Sequence, residues 1–249
     1  PFVVWVGFNE ASQIYLCDLR RNGGSGGCME SDEKHQATNY TSLKSNVDIR
    51  GHFLVWQDHA RGNWDVVICD LRKNGYDGGC LADDAKMFVT SDLLDQVEPS
   101  VDGRWIVWED HRGDAGDIYG YNLLRGVEVP LVTREGRQSR PVVRRSFVFF
   151  EDNSDGNSEI KELSLRDGVV RNLTNSGHDE IHPSVDHHLL VYETSRFGVS
   201  SIVVLDFQSN ATRFLKLRDR EYNPSIFGKR IVFESVVNGT KRVFFDRCL

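Results

Sequence analysis

Six segments of this chain repeat one another, and that repetition limits the fold more than any other feature of the sequence. They read VVWVGFNEASQIYLCDL, LVWQDHARGNWDVVICDL, IVWEDHRGDAGDIYGYNL, VFFEDNSDGNSEIKELSL, LVYETSRFGVSSIVVLDF and IVFESVVNGTKRVFFDRCL. Each carries one anchor aromatic: Trp5, Trp56, Trp108, Phe150, Tyr192 and Phe233. Successive anchors lie 51, 52, 42, 42 and 41 residues apart. Within a full repeat, four short β-rich runs are separated by turn residues. In the third they are PSVDG, WIVWED, DIYGYNL and VPLVT. Pro99, Pro141, Pro183 and Pro224 recur nine residues before their anchors, with Val47 in that place in the second repeat. Proline has no N–H to donate, so the sequence places each at the first residue of a strand.

Four strands in about 42 residues, repeated six times, is the period of a β-propeller. A solenoid coil repeats at a shorter interval, and a sandwich does not repeat. No stretch shows sustained helical periodicity. The expected fold is therefore all-β: a single domain over residues 1–249, a six-bladed propeller of four-stranded antiparallel blades. The chain begins inside the second strand of the first repeat and stops after the third strand of the sixth, so those two blades are expected to be incomplete. Unmatched sheet edges invite pairing with another chain. Pro1 in place of an initiating Met reads as a processed or truncated product.

Pro99-Ser100, Ile106-Val107-Trp108-Glu109-Asp110, Asp117-Ile118-Tyr119-Gly120-Tyr121-Asn122-Leu123 and Leu131-Val132-Thr133 together resemble the TolB-type six-bladed propeller repeat. The resemblance runs along essentially the whole chain and implies six blades. It implies no single activity, because such propellers host unrelated functions. The repeats look most like those of archaeal and bacterial cell-surface proteins. The lone Asn63-Trp64-Asp65 stands outside the frame of WD-repeat propellers.

Lys and Arg total 30 against 37 Asp and Glu, a net charge of −7. That balance argues against nucleic acid and anionic membrane as partners, since both need a basic footprint. No apolar run approaches the ~20 residues of a membrane-spanning helix. Cys17 and Cys28 bracket one ten-residue insertion; Cys69 and Cys80 bracket another at the equivalent place. Zinc sites favour shorter spacings, so the reading is two disulfides within blades and an oxidising, extracellular or cell-surface location. Cys248 is left over. Asn39, Asn172, Asn210 and Asn238 each begin an N-x-T triplet and are candidate glycan acceptors.

Chemistry is sought in the loops. Asp152, Asp155 and Asn157 offer alternating oxygen ligands around a Gly turn, a weak calcium candidate; the plainer reading is a hairpin turn. No other cofactor is expected. The residues just before the recurring proline position are Asn46, Glu98, Arg140, His182 and Asn223. They differ while their frame repeats, as a binding surface would, and they are expected in inter-blade loops around a channel mouth. His178, His182, His187 and His188 cluster in sequence, but on a loop rather than a helix that could grip zinc. Gln57, Glu109, Glu151, Glu193 and Glu234 follow their anchors directly. A carboxylate repeated in nearly every blade reads as structural, because catalysis needs one asymmetric constellation. Gly23 to Gly27 has no following Lys or helix and is no phosphate loop. The sequence thus reads as an extracellular, non-catalytic binding or structural module whose partner is a protein, a glycan or further copies of itself. One alternative is a filament or surface-layer subunit joined by strand exchange. Another is a glycan hydrolase or lyase using His182, Glu98 and Arg140.

Overall fold

A computed structural model describes residues 2–9, 11–18, 34–76, 79–113, 115–196, 199–215, 220–237 and 239–247. Its strands form six sheets, and each sheet is one sequence repeat. The chain divides into two compact units, 1–132 and 133–249, of three sheets each. This is the plan of a six-bladed β-propeller.

In the first unit, blade one has strands Phe2–Asn9, Ala11–Asp18 and Lys34–Gln36. Blade two has Lys44–Arg50, Phe53–Asp58, Asp65–Asp70 and Lys86–Phe88. Blade three has Gln96–Asp102, Trp105–Asp110, Asp117–Asn122 and Val127–Val132. In the second unit, blade four has Gln138–Arg144, Phe147–Asp152, Glu159–Ser164 and Val170–Asn172. Blade five has Glu180–Asp186, Leu189–Arg196, Val199–Asp206 and Ala211–Phe214. Blade six has Glu221–Phe227, Arg230–Val237 and Thr240–Arg247. Every neighbouring pair is antiparallel, and strands follow one another in sequence order within each sheet. Among the described residues, blades one and six have three strands, as the sequence count requires.

Register shows that the repeats are structurally equivalent. Trp56 pairs with Val67, Trp108 with Tyr119, Phe150 with Lys161, Tyr192 with Val203 and Phe233 with Phe244. All five anchors are buried, whereas Trp5 in blade one is only half-buried. Blades pack face to face, so both faces of the middle strands are covered. Leu54 and Trp56 join the cluster packed against Ile14 and Leu16 of blade one, while Val55 joins the one packed against Ile106 and Trp108 of blade three. Phe149 and Tyr192 share a core between blades four and five, and Val191 and Phe233 one between blades five and six. This two-sided burial explains why the sequence lacks a strict apolar–polar alternation. Each fully buried aliphatic side chain contributes roughly 1.5–3 kcal/mol.

The insertion in blade two is a staple. Asp70 caps a short 3-10 helix, Leu71–Asn74, through the Arg72 N–H at 3.1 Å. Gly75 ends it in the left-handed region. Cys80 then bonds Cys69, and its N–H donates to Ala37 O of blade one at 2.9 Å. Gly79 passes so close to blade one that a Cβ there would lie 2.8 Å from Ala37 Cα. Cys17 is disulfide-bonded and buried; Cys28 and Cys248 lie outside the described residues.

Candidate functional site

The recurring prolines do not begin strands. Each sits fourth in the first strand of its blade, inside a β-bulge. Register shifts fall between Ser45 and Asp48, Val97 and Ser100, Ser139 and Val142, Ile181 and Ser184, and Tyr222 and Ser225. A bulge leaves one residue unpaired, so the missing N–H costs nothing there. The five candidate contact residues are therefore in strands rather than in inter-blade loops.

They share one further property. Asn46, Glu98, Arg140, His182 and Asn223 have φ between 47° and 55°. Non-glycine residues rarely enter that region, and holding one there costs of order 1–3 kcal/mol. The side chain directly after an anchor aromatic contacts each of them. In the first unit, Gln57 Oε1 accepts the Glu98 N–H at 2.9 Å and the Asn46 Nδ2 amide at 2.9 Å. In the second unit, Glu151 Oε1 accepts the His182 N–H at 2.7 Å and pairs with Arg140 Nη1 at 3.5 Å. Glu193 Oε2 meets His182 Nδ1 at 3.0 Å and accepts the Asn223 N–H at 3.3 Å. One buried side chain thus reaches both its own blade's tip and the backbone of the next.

Gln57, Glu151 and Glu193 are each about 5% exposed, so the bonds form away from water. Burial alone would raise the Glu193 carboxyl. Hydrogen bonds from His182 and Ser200, with the His182 charge, hold it below the usual carboxylate range instead. The tips themselves reach outward: Asn46 and Asn223 are exposed, and Glu98, Arg140 and His182 are half-exposed. In the second unit, Arg140, Glu151, His182, Glu193 and Asn223 form one continuous chain of contacts. Such a chain presents donors and a cation at fixed positions. Its carboxylates are already engaged by backbone N–H groups of the next blade.

The other sequence candidates are placed as follows. Asp152 and Asp155 face Lys161, whose Nζ lies 3.0 Å from Asp152 and 2.9 Å from Asp155. Arg134 also pairs with Asp152, at 2.7 Å. Asn157 turns its Nδ2 amide to Glu159, Ser176 O and His178 O. Lys161 and Arg134 supply positive charge beside Asp152, Lys161 does so beside Asp155, and Asn157 is engaged elsewhere. His182, His187 and His188 pair with different acids, Glu193, Asp186 and Asp206. Asn39, Asn172 and Asn210 are exposed; Asn238 lies outside the described residues.

The sequence reading did not single out Glu159 and Glu180. Glu159 accepts Thr174 Oγ1 and the Ser176 N–H; Glu180 Oε1 accepts Ser176 Oγ at 2.6 Å and Thr194 Oγ1 at 3.0 Å. Burial, with Glu159 beside it, pushes the Glu180 carboxyl up to about 7. A signal was available. The first residues of the first strands of blades two, three and four are Lys44, Gln96 and Gln138, each opposite an Asp. Blade five has Glu180 opposite Thr194, with the acid moved across the strand pair.

No family model and no curated protein sequence matches the chain. Solved structures do. TolB from Acinetobacter baumannii superposes with a TM-score of 0.74 at 12% identity, over 99% of this chain and 61% of that one. A chain of a nidogen/laminin complex gives 0.66 at 14% identity, over 95% of this chain and 86% of that one. A puromycin-hydrolysing peptidase from Mycobacterium tuberculosis gives 0.74 at 12% identity, but this chain spans only 40% of its length. A putative TolB from Agrobacterium tumefaciens matches over 99% of this chain and 86% of its own, with a TM-score of 0.67 at 14% identity. Identities this low speak for the fold alone, and the fold is that of the TolB-type six-bladed β-propellers.

Proposed function

We propose that this chain is an extracellular, non-catalytic binding module that meets a protein partner through the tips of its first-strand bulges. The observation that carries the reading is the set of five non-glycine residues in the left-handed region, which present four different side-chain chemistries on one repeated frame. Strain of that kind is kept where the surroundings over-determine it, and it gathers at contact sites. The Cys69–Cys80 disulfide and three exposed acceptor asparagines support a location outside the cytoplasm. No helix among the described residues is long and apolar enough to cross a membrane. The likeness to a chain of the nidogen/laminin complex supports a protein partner in general terms.

Photo-crosslinking side chains test this directly. Placed at His182 or Asn223, both in the second unit, they are expected to capture the same partner from native material. Placed at Leu124 or Val169, exposed in the turns between third and fourth strands, they are expected to capture none. Capture from the turns alone would refute the reading.

A second reading has its own observation. Phe8 is 80% exposed, and Val243 and Phe245 in the last described strand are 72% and 56% exposed. Outer strands that expose apolar side chains suit strand addition by another copy. Sedimentation of the native protein separates the two readings, since only the second requires concentration-dependent polymers.

A further inference from the structure

The junctions between neighbouring blades are built on one hydrogen-bond plan, which lets their occupants be compared. Where blade two meets blade three, Asp65 accepts Thr90 Oγ1 at 3.1 Å, the Val66 N–H goes to Thr90, and the Gln96 N–H goes to Trp64 O at 2.7 Å. Where blade four meets blade five, Glu159 accepts Thr174 Oγ1 at 2.6 Å, the Ile160 N–H goes to Thr174, and the Glu180 N–H goes to Ser158 O at 2.7 Å. Gln13, Thr38 and Ile14 repeat the plan where blade one meets blade two, and Lys44 starts the incoming strand. Where blade five meets blade six, the position of Glu159 falls to Ser201, and Glu221 accepts the Ile202 N–H. The matched positions are thus Gln13 with Lys44, Asp65 with Gln96, Glu159 with Glu180, and Ser201 with Glu221. Of these four junctions, that of blades four and five alone sets acid against acid. Both acids are buried, Glu159 at 3% and Glu180 at 2% exposure. Ser176 ties them, giving its N–H to Glu159 Oε1 at 2.8 Å and its hydroxyl to Glu180 Oε1 at 2.6 Å. Two buried carboxylates in contact do not both stay ionised, and a proton between them belongs to the pair.

We propose that Glu159 and Glu180 share one proton that closes the junction of blades four and five, and that the junction loosens when this proton is lost to an alkaline medium. A protonated carboxyl has one O–H to donate, so the shared proton supplies a hydrogen bond between two groups that otherwise only accept. Its loss leaves two negative charges across a dry contact. Burial, and then the hydrogen bond and charge of Glu159, push the Glu180 carboxyl up to about 7. The folded value is above the unfolded one, so the stabilisation is fully present below the ordinary carboxylate range and is lost as pH rises through about 7. Other charges stand on the elements around the pair. On the side of blade four, Lys161 lies on Asp152 and Asp155, Arg134 on Asp152, and Arg140 on Glu151. In blade five, Glu193 meets His182, while Asp186 meets Arg144 and His187. In the segment between the blades, Asp179 accepts the Ser158 N–H, and the carbonyl of His178 accepts the Asn157 amide. Among the described residues no cation pairs with Glu159 or Glu180, because Lys161, Arg134, Arg140 and Arg144 are all committed to other acids.

Amide exchange of the whole protein tests this, with each rate divided by that of an unstructured peptide at the same pH. Protection of the Glu180 amide, whose bond to Ser158 O crosses the junction, is expected to fall at least about tenfold between pH 5.5 and pH 8.5. The Gln96 amide makes the same bond to Trp64 O without a second acid, and its protection is expected to fall by less than about threefold. Carbon-13 NMR of the glutamate carboxyl groups is expected to show one member of the pair titrating near neutrality. Glu180→Gln puts at this junction the residue type that blade three has, with a donor that carries no titrating proton. It is expected to remove the excess fall, read at the amide of residue 180, while leaving His178 and His182 in place. Glu159→Gln removes the acid from the other blade and is expected to do the same, so the test survives if one variant does not fold. An equal fall at Glu180 and Gln96, a fall that persists in the variants, or two carboxyl groups that both titrate in the ordinary range would overturn the proposal.

Discussion

Asn223 shows how a single residue is held. Its φ is 51°, its side chain is exposed, and its N–H reaches Glu193. Asn223→Gly keeps the N–H and relieves the strain, so stability is expected to change by no more than about 0.5 kcal/mol. Asn223→Val places a β-branched residue in the same backbone conformation and is expected to cost about 1–3 kcal/mol by denaturant unfolding. A similar cost from both substitutions would mean that the backbone there is not left-handed. Glu193 makes a second prediction. Its carboxyl is held below its unfolded value, so its pairing stabilises the protein above the ordinary carboxylate pKa. That stabilisation is lost as pH falls through the folded value. Between pH 7 and pH 3 the wild type is therefore expected to lose more stability than Glu193→Gln. Parallel loss in the two would contradict the His182–Glu193 pairing. The sequence showed that these positions differ on a fixed frame. It could not show why, because the backbone N–H groups of Glu98, His182 and Asn223 are held by acceptors 30 to 41 positions away.

At the scale of elements, turns and strands were readable because their signals are local: Gly103, at the end of the PSVDG run, and Gly126, between the third and fourth runs of that repeat, mark real left-handed turns. The bulges were not, since a proline fits a strand start and a bulge equally well. Only pairing against the second strand separates those cases. The Glu159–Glu180 pair escaped notice for a related reason. Its two acids belong to different blades, and only packing brings them together. The Cys69–Cys80 loop was legible from spacing alone. Closing a loop with a sequence separation of 11 is expected to contribute about 2–3 kcal/mol. Cys69→Ser with Cys80→Ser should lower stability by that amount, measured against the oxidised wild type. Because Cys80 and Gly79 also pack on Ala37, the loss should loosen the contact of blade one with blade two, and exchange of the Cys80 amide should accelerate first.

For the molecule as a whole, the central claim is that the proposed contact residues are rigidly held in their strands. Three amides report on it: Glu98, His182 and Asn223, each donating to a buried side chain of the preceding blade. Hydrogen exchange at these amides is the most direct measurement. Opening free energies within about 1–2 kcal/mol of the global unfolding value are predicted, with protection lost at His182 in Glu151→Ala. Exchange at these three sites near the rate of an unstructured loop would contradict the account.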